Sequence, residues 1–267
     1  MKKAFSILFF GLLFLQTNAQ ETFQPKPLEP ASKGVIYNSE LAFDLRLHTN
    51  GFALGANFGK IRTYYQTRYF HVGIGELKHH KENRANLDRS NSSGRLSRSF
   101  VYGKQNNLFV TRIGYGEKRY FSEKAKRKGV AVGISYEGGF TAGFLKPYYL
   151  ELLSTENSNP GPSSLQGTFT VKYSEENQDY FLNPWNIFGS SSWTRGLTET
   201  SIIPGIHTQF AVHVDWGAFD EYVKAIEAGI MVDAFIRQVP IMVELEGVEN
   251  RPFFVNLFIN LQIGKRK

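Results

Sequence analysis

The stretch Phe253-Phe254-Val255-Asn256-Leu257-Phe258-Ile259-Asn260-Leu261-Gln262-Ile263-Gly264 alternates without a miss. Successive side chains of a strand point to opposite sides, so Phe253, Val255, Leu257, Ile259, Leu261 and Ile263 share one face. The other face carries Phe254, Asn256, Phe258, Asn260, Gln262 and Gly264. Such a strand needs lipid or a core on its first side and water or a polar lumen on its second.

The opposite end of the chain bears on which setting applies. Met1-Lys2-Lys3 is a short basic segment, Ala4 to Leu15 is apolar, and Thr17-Asn18-Ala19 offers small or modest side chains before a cut. This order is that of a cleaved secretory signal over residues 1–19. The apolar run is too short to cross a bilayer comfortably as a helix, and no second run of ~20 apolar residues follows. The chain contains no Cys, so export without a lipid anchor is expected, and disulfides and thiolate metal sites are excluded.

Aromatic residues make up 15% of the chain and there are 25 Gly, a balance that favours strands at an interface over a soluble helical domain. Residues 20–34 include the run Gln24-Pro25-Lys26-Pro27-Leu28-Glu29-Pro30 and are expected to form an extended periplasmic leader. Residues 35–267 then suit one barrel.

Period-two segments occur at Glu40 to His48, Phe52 to Gly59, Tyr65 to Glu76, Leu108 to Phe121, Val130 to Phe144, Thr208 to Gly217, Tyr222 to Ile236 and Phe253 to Gly264. Thr49-Asn50-Gly51 is a hairpin turn between the first two. Long connections near 77–107, 145–207 and 237–251 alternate with short ones, as do the outer loops and inner turns of outer-membrane barrels. The expected fold is an all-β, transmembrane, up-and-down antiparallel β-barrel of eight strands after a cleaved signal peptide. Tyr148 to Leu153 and Thr168 to Tyr173 could pair as a further hairpin, giving ten strands or a sheet projecting above the membrane.

The second faces of these segments hold Gly, Ala, Ser and isolated charges, which a cramped interior accepts. Glu40, Asp44, Arg46, Arg112, Glu137, His213, Asp215, Glu227 and Asp233 are therefore expected in a lumenal polar network. Arg112 and Glu137 lie on sequence-adjacent strands, and Arg46 shares a strand with Asp44. A lipocalin-like soluble barrel, with the apolar face inward, is the alternative.

The Asn18-Ala19-Gln20 cleavage region, the two-faced strands and the C-terminal strand resemble the small outer-membrane β-barrel proteins of Bacteroidota, a broad group. That resemblance implies insertion by the barrel-assembly machinery. The chain departs from many such barrels by running past Ile263 into Gly264-Lys265-Arg266-Lys267 instead of finishing on an aromatic residue.

Candidate chemistry is thin. Of the six histidines, His48, His71 and His213 are expected in the lumen and His207 at a strand boundary. His213 and Asp215 share a face and more simply join a polar network than form a catalytic base. His79 and His80 are adjacent, which disfavours chelation of one ion from a strand and favours a solvated loop edge. No catalytic residue, metal site or cofactor is assigned.

The better candidate is a basic loop: Lys78, Lys81, Arg84, Arg89, Arg95, Arg98 and Lys104 outnumber Glu82 and Asp88. Placed outside, these cations would meet lipid A phosphates, an acidic glycan or an envelope partner; the alternative is a solvated connector. A second cluster, Lys124, Lys126, Arg127 and Lys128, falls at a short turn and suits a membrane-surface anchor. Export disfavours nucleic acid as a partner. The expected protein is a non-enzymatic component of the cell outer membrane, a scaffold or partner-binding accessory to secretion or envelope assembly. A narrow channel and an envelope-lipid-modifying enzyme are the alternatives.

Overall fold

A computed structural model of the protein describes residues 37–88, 90, 94–121, 130–153, 167–216 and 221–267. The expected signal peptide and leader lie outside those residues, as do Arg89 and the basic turn from Lys124 to Lys128. In chain order the strands are β1 (Ser39–His48), β2 (Gly51–Thr63), β3 (Gln66–Leu77), β4 (Arg84–Ala85), β5 (Phe100–Val101), β6 (Asn106–Tyr120), β7 (Ala131–Pro147), β8 (Tyr149–Leu153), β9 (Thr168–Lys172), β10 (Ile187–Ser190), β11 (Ser201–Asp215), β12 (Tyr222–Phe235) and β13 (Phe253–Arg266).

Eight of them, β1, β2, β3, β6, β7, β11, β12 and β13, close into an antiparallel barrel in which each strand pairs with its neighbours in that order. The seam joins β1 to β13, with Glu40 opposite Arg266 and His48 opposite Phe258. Closure leaves no free strand edge within the barrel.

The ten-strand alternative is corrected. β8 and β9 do pair, but they join β10 in a separate three-stranded sheet, so the barrel has eight strands. β11 also begins earlier than the sequence pattern indicated, at Ser201 rather than Thr208. Pro204 obscures its start because proline cannot donate to a ladder, yet here Pro204 pairs opposite Ala142 and keeps the alternation, with Ile202 and Ile206 exposed beside it and Ile203 and His207 buried.

The barrel is apolar outside and polar inside. Phe43 is 63% exposed and Leu257 60%, whereas Asn256 and Asn260 on the same strand as Leu257 are 0% exposed. Large outward side chains recur on every barrel strand, giving an apolar exterior that is interrupted on β3 and β6 by the ion-paired Arg68, Glu117 and Arg119. Tyr65, Phe121, Trp216 and Tyr222 are exposed around the end at which β1 begins and β13 finishes.

Inside, glycine makes room for bulk. A Cβ on Gly116 would lie 2.5 Å from the Tyr69 ring, and Cβ atoms on Gly55 and Gly73 would lie 2.6 and 2.7 Å from the His71 imidazole. The lumen therefore accommodates large polar side chains only because their strand neighbours are small.

At the other end an apolar cluster closes the mouth. Leu77, Leu108, Leu145, Ile203, Phe235 and Phe254 point inward from the strand ends and pack on Val239, Ile241 and Met242 of the β12–β13 loop. Asn250 holds that loop in shape: Oδ1 accepts from the backbone N–H groups of Ile241 and Met242, each at 3.1 Å, and Nδ2 donates to Met242 O at 2.8 Å. The β3–β6 and β7–β11 connections fold together around a second core of Phe100, Leu150, Leu152, Phe181 and Ile187, which forms a cap at this end.

Candidate functional site

The expected lumenal residues are all buried inside the barrel, and closure selects their partners. Arg112 does not meet Glu137. It forms a two-pronged bond with Asp233, Nε to Oδ1 at 2.8 Å and Nη2 to Oδ2 at 2.9 Å. Nor does Arg46 pair with Asp44: two residues apart on one strand they point the same way, and Arg46 instead lies 4.8 Å from the Phe258 ring centroid with Nη1 against Met231 Sδ. Asp44 accepts from Asn57 Nδ2 at 2.8 Å and lies 3.4 Å from His71 Nδ1.

Glu137 accepts from Gln209 Nε2 at 2.8 Å and lies 3.0 Å from His207 Nε2. His207 is thus a central lumenal residue and not a strand boundary; the late start assigned to β11 hid this. His213 turns to Glu227, Nδ1 to Oε1 at 2.9 Å, rather than to Asp215. Its Nε2 lies 3.2 Å from the Tyr120 hydroxyl, which donates to Asp215 Oδ2 at 3.3 Å. Glu227, His213 and Tyr120 resemble a proton relay in outline, but Glu227 and His213 are buried and the hydroxyl of the half-buried Tyr120 is already bonded to Asp215.

Two cations absent from the expected network anchor its lower end. Lys118 Nζ donates to Glu40 Oε1 at 2.9 Å and Gln262 Oε1 at 2.8 Å. Arg266 donates from Nε to Glu40 Oε2 at 3.0 Å and from Nη2 to Asp215 Oδ2 at 2.7 Å. The strand phase would have placed Arg266 inward with Gln262, but its position in a basic tail masked it. The gap around Arg46, His71 and Arg112 has no room for a water-sized sphere.

The basic loop does not present its cations as one set. Lys104 is buried and donates to Glu82 Oε2 at 2.6 Å. Lys78 lies 3.5 Å from Glu76, Lys81 donates to Gly247 O, and Arg95 is paired with Glu151 of β8. Arg98 contributes its backbone to the cap through Ser190 N–H, and Arg84 pairs through its backbone with Val101. Folding the loop against the cap has spent several of these charges on internal partners, which the isolated sequence could not reveal.

His79 is buried, not solvated: it lies 3.2 Å from Glu249 O through Nε2, and its N–H donates to Glu82 Oε1 at 3.0 Å. His80 is exposed, and partial desolvation followed by the neighbouring His79 lowers its pKa. In the cap, bonds from Lys172 and Tyr149 hold the Glu199 carboxyl below its ordinary range. Among the described residues no group of three His, Cys, Asp or Glu side chains is arranged to hold a metal ion.

Where the cap meets the ends of β3, β6 and β7 lies a cavity of about 450 Å³. Its lining includes Arg84, Lys104, Lys146, Tyr149, Trp193 and Arg195. Lys146, Tyr149, Trp193 and Arg195 were not singled out by the sequence; only the tertiary contact of two long loops brings them to the loop cations.

No family model matches the chain, and no curated protein matches it. Among solved structures, the N-terminal β-barrel domain of Pseudomonas aeruginosa OprF aligns at 8% identity and a TM-score of 0.34, covering 86% of this chain and 98% of that one. Neisserial surface protein A aligns at 10% identity and a TM-score of 0.28, covering 85% and 92%.

Proposed function

We propose that the protein is an integral barrel of the outer membrane that does not conduct and acts through its cap, as a scaffold or partner-binding accessory to secretion or envelope assembly. The observation that carries this is the inversion of the barrel: a largely apolar exterior around a lumen of paired charges and amides. A soluble monomer rarely exposes a contiguous apolar patch beyond a few hundred Å², and here large apolar side chains are exposed on all eight barrel strands. The exposed Tyr65, Phe121, Trp216 and Tyr222 suit an interfacial aromatic girdle at the periplasmic end. Insertion by the barrel-assembly machinery and contact with outer-membrane lipid follow from this reading.

The filled lumen and the apolar closure by Val239, Ile241 and Met242 argue against the channel alternative. Glu227 and His213 are buried and Tyr120 is engaged by Asp215, so every group of that chain is held by a lumenal partner, which argues against the enzyme alternative. The test is fractionation of the native protein with heat-modifiable gel migration, followed by planar-bilayer recording. Outer-membrane recovery with no unitary current is expected; recovery in the soluble periplasm after gentle lysis would overturn the membrane assignment, and steady ohmic steps would overturn the closed lumen.

A further inference from the structure

We infer that the cavity between the cap and the barrel end is a binding site for a phosphorylated saccharide of one or two rings. The inference deepens the partner-binding reading by naming a ligand class, and it rests on that reading only for placing the site on the outer face.

The charge balance of the lining is the first ground. Glu82 is taken by Lys104 at 2.6 Å and Glu76 faces Lys78 at 3.5 Å, so the two acids of the lining are already matched. Arg84, Lys146 and Arg195 remain with no carboxylate partner among the described residues. Three uncompensated cations around one concavity focus a positive potential that attracts an anion.

Lys146 is the second ground. It is 3% exposed, and its Nζ donates to Trp193 O and lies 4.5 Å from the Trp193 ring centroid. Burying an ammonium is costly without a counter-charge, and a carbonyl with a ring face is a weak substitute for one. A phosphoryl group in the cavity would supply the missing charge, with Arg84 and Arg195 able to offer forked donors to its oxygens.

The size and the rest of the wall define the remainder of the ligand. At about 450 Å³ the cavity falls within the range of small-molecule sites and would be largely empty around inorganic phosphate alone. Trp193 is 64% exposed and Tyr149 also lines the cavity, giving ring surface for the C–H faces of a sugar. Ser191 and Asn107 provide a hydroxyl and an amide suited to sugar hydroxyls, while the Ser190 and Ser192 hydroxyls are bonded to Ser99 O and Thr194 Oγ1.

The test uses the full mature chain, folded in detergent and verified by heat-modifiable migration, with binding followed by calorimetry. The probes are glucosamine 1-phosphate, glucosamine, inorganic phosphate and lipid A micelles with and without phosphates. Glucosamine 1-phosphate should bind more tightly than glucosamine or phosphate by about tenfold or more, and raising the salt should weaken it. Lys146→Gln should weaken it by about tenfold. Because Lys146 is buried, Arg195→Gln on the exposed side of the site serves as the variant least able to disturb folding, and it should weaken binding likewise. Lys265→Gln, whose cation is paired with Glu221 at the opposite end of the barrel, should bind as the parent does.

Preference for phosphorylated lipid A over glucosamine 1-phosphate would assign the headgroup as the source; preference for the free sugar phosphate would assign a soluble glycan. Equal binding of inorganic phosphate and glucosamine 1-phosphate, no binding of any phosphorylated probe, or unchanged binding by both Lys146→Gln and Arg195→Gln would overturn the site. Because the assay is done in detergent, such a failure is distinguishable from a failure of the outer-membrane reading, which fractionation measures.

Discussion

Arg266 donates from Nε to Glu40 Oε2 at 3.0 Å, tying the last barrel strand to the first from inside the lumen. The two residues are also directly opposite in the β1–β13 ladder, so the ion pair and the backbone seam close the barrel at one level. Arg266 reaches a second acid, Asp215 of β11, at 2.7 Å.

Loss of Arg266 is therefore expected to weaken closure. Arg266→Ala leaves Glu40 and Asp215 buried with less compensation, and removing one partner of a buried pair costs about 3 to 5 kcal/mol. Lys118 still faces Glu40, which places the effect toward the lower figure. Reversible urea unfolding in detergent, monitored by gel migration, measures it; an Arg266→Ala barrel as stable as the parent would show the seam to be held by the backbone alone.

At mid-lumen the pair Arg112 and Asp233 gives an asymmetric expectation. Asp233→Ala strands a fully buried guanidinium and should destabilise by about 3 to 5 kcal/mol, whereas replacing both residues by uncharged ones of similar volume, Arg112→Met with Asp233→Leu, should be closer to neutral. A double-mutant cycle on unfolding free energy checks the coupling. Additive single effects would mean that the two charges act independently.

Facing can be tested on one cross-strand pair. Ile230 of β12 lies opposite Leu257 of β13, both at least half exposed on the outer wall. Ile230→Arg and Leu257→Arg should each cost about 2 to 4 kcal/mol of insertion if they sit near the bilayer midplane. Asn256→Ala, on the lumen side, loses only a 3.1 Å hydrogen bond from Thr49 and should be milder. Normal assembly of the arginine variants with failure of Asn256→Ala would reverse the faces.

The closed mouth depends on Asn250. Asn250→Ala removes bonds to two N–H groups and one carbonyl of the β12–β13 loop, and each unsatisfied buried group costs about 1 to 3 kcal/mol. Faster amide exchange at Ile241 and Met242, with exchange in β13 unchanged, is expected. Ile241→Ala should loosen the same segment by about 2 to 5 kcal/mol through the cavity it leaves. Parent-like protection of Ile241 and Met242 in the Asn250→Ala variant would show the plug to be held by its apolar packing.

By itself the sequence determined the eight barrel strands and their faces, apart from the start of β11, because a period of two is a local property: each side chain's side follows from its neighbours one residue away. Phe253 to Gly264 was legible in full, and the same phase carried Glu227, Asp233 and Glu137 to the lumen. Even Arg266 obeys it, although its place beside Lys265 and Lys267 disguised an inward residue as a tail. The tertiary structure alone decided the partners. Arg112 finds Asp233 rather than Glu137 because barrel closure brings β12 across the lumen from β6, a relation that depends on register and curvature and not on spacing along the chain. The same holds for the cap, where Lys146, Trp193 and Arg195 meet Arg84 only after two long loops pack together, so no local pattern of residues could have announced the cavity between them.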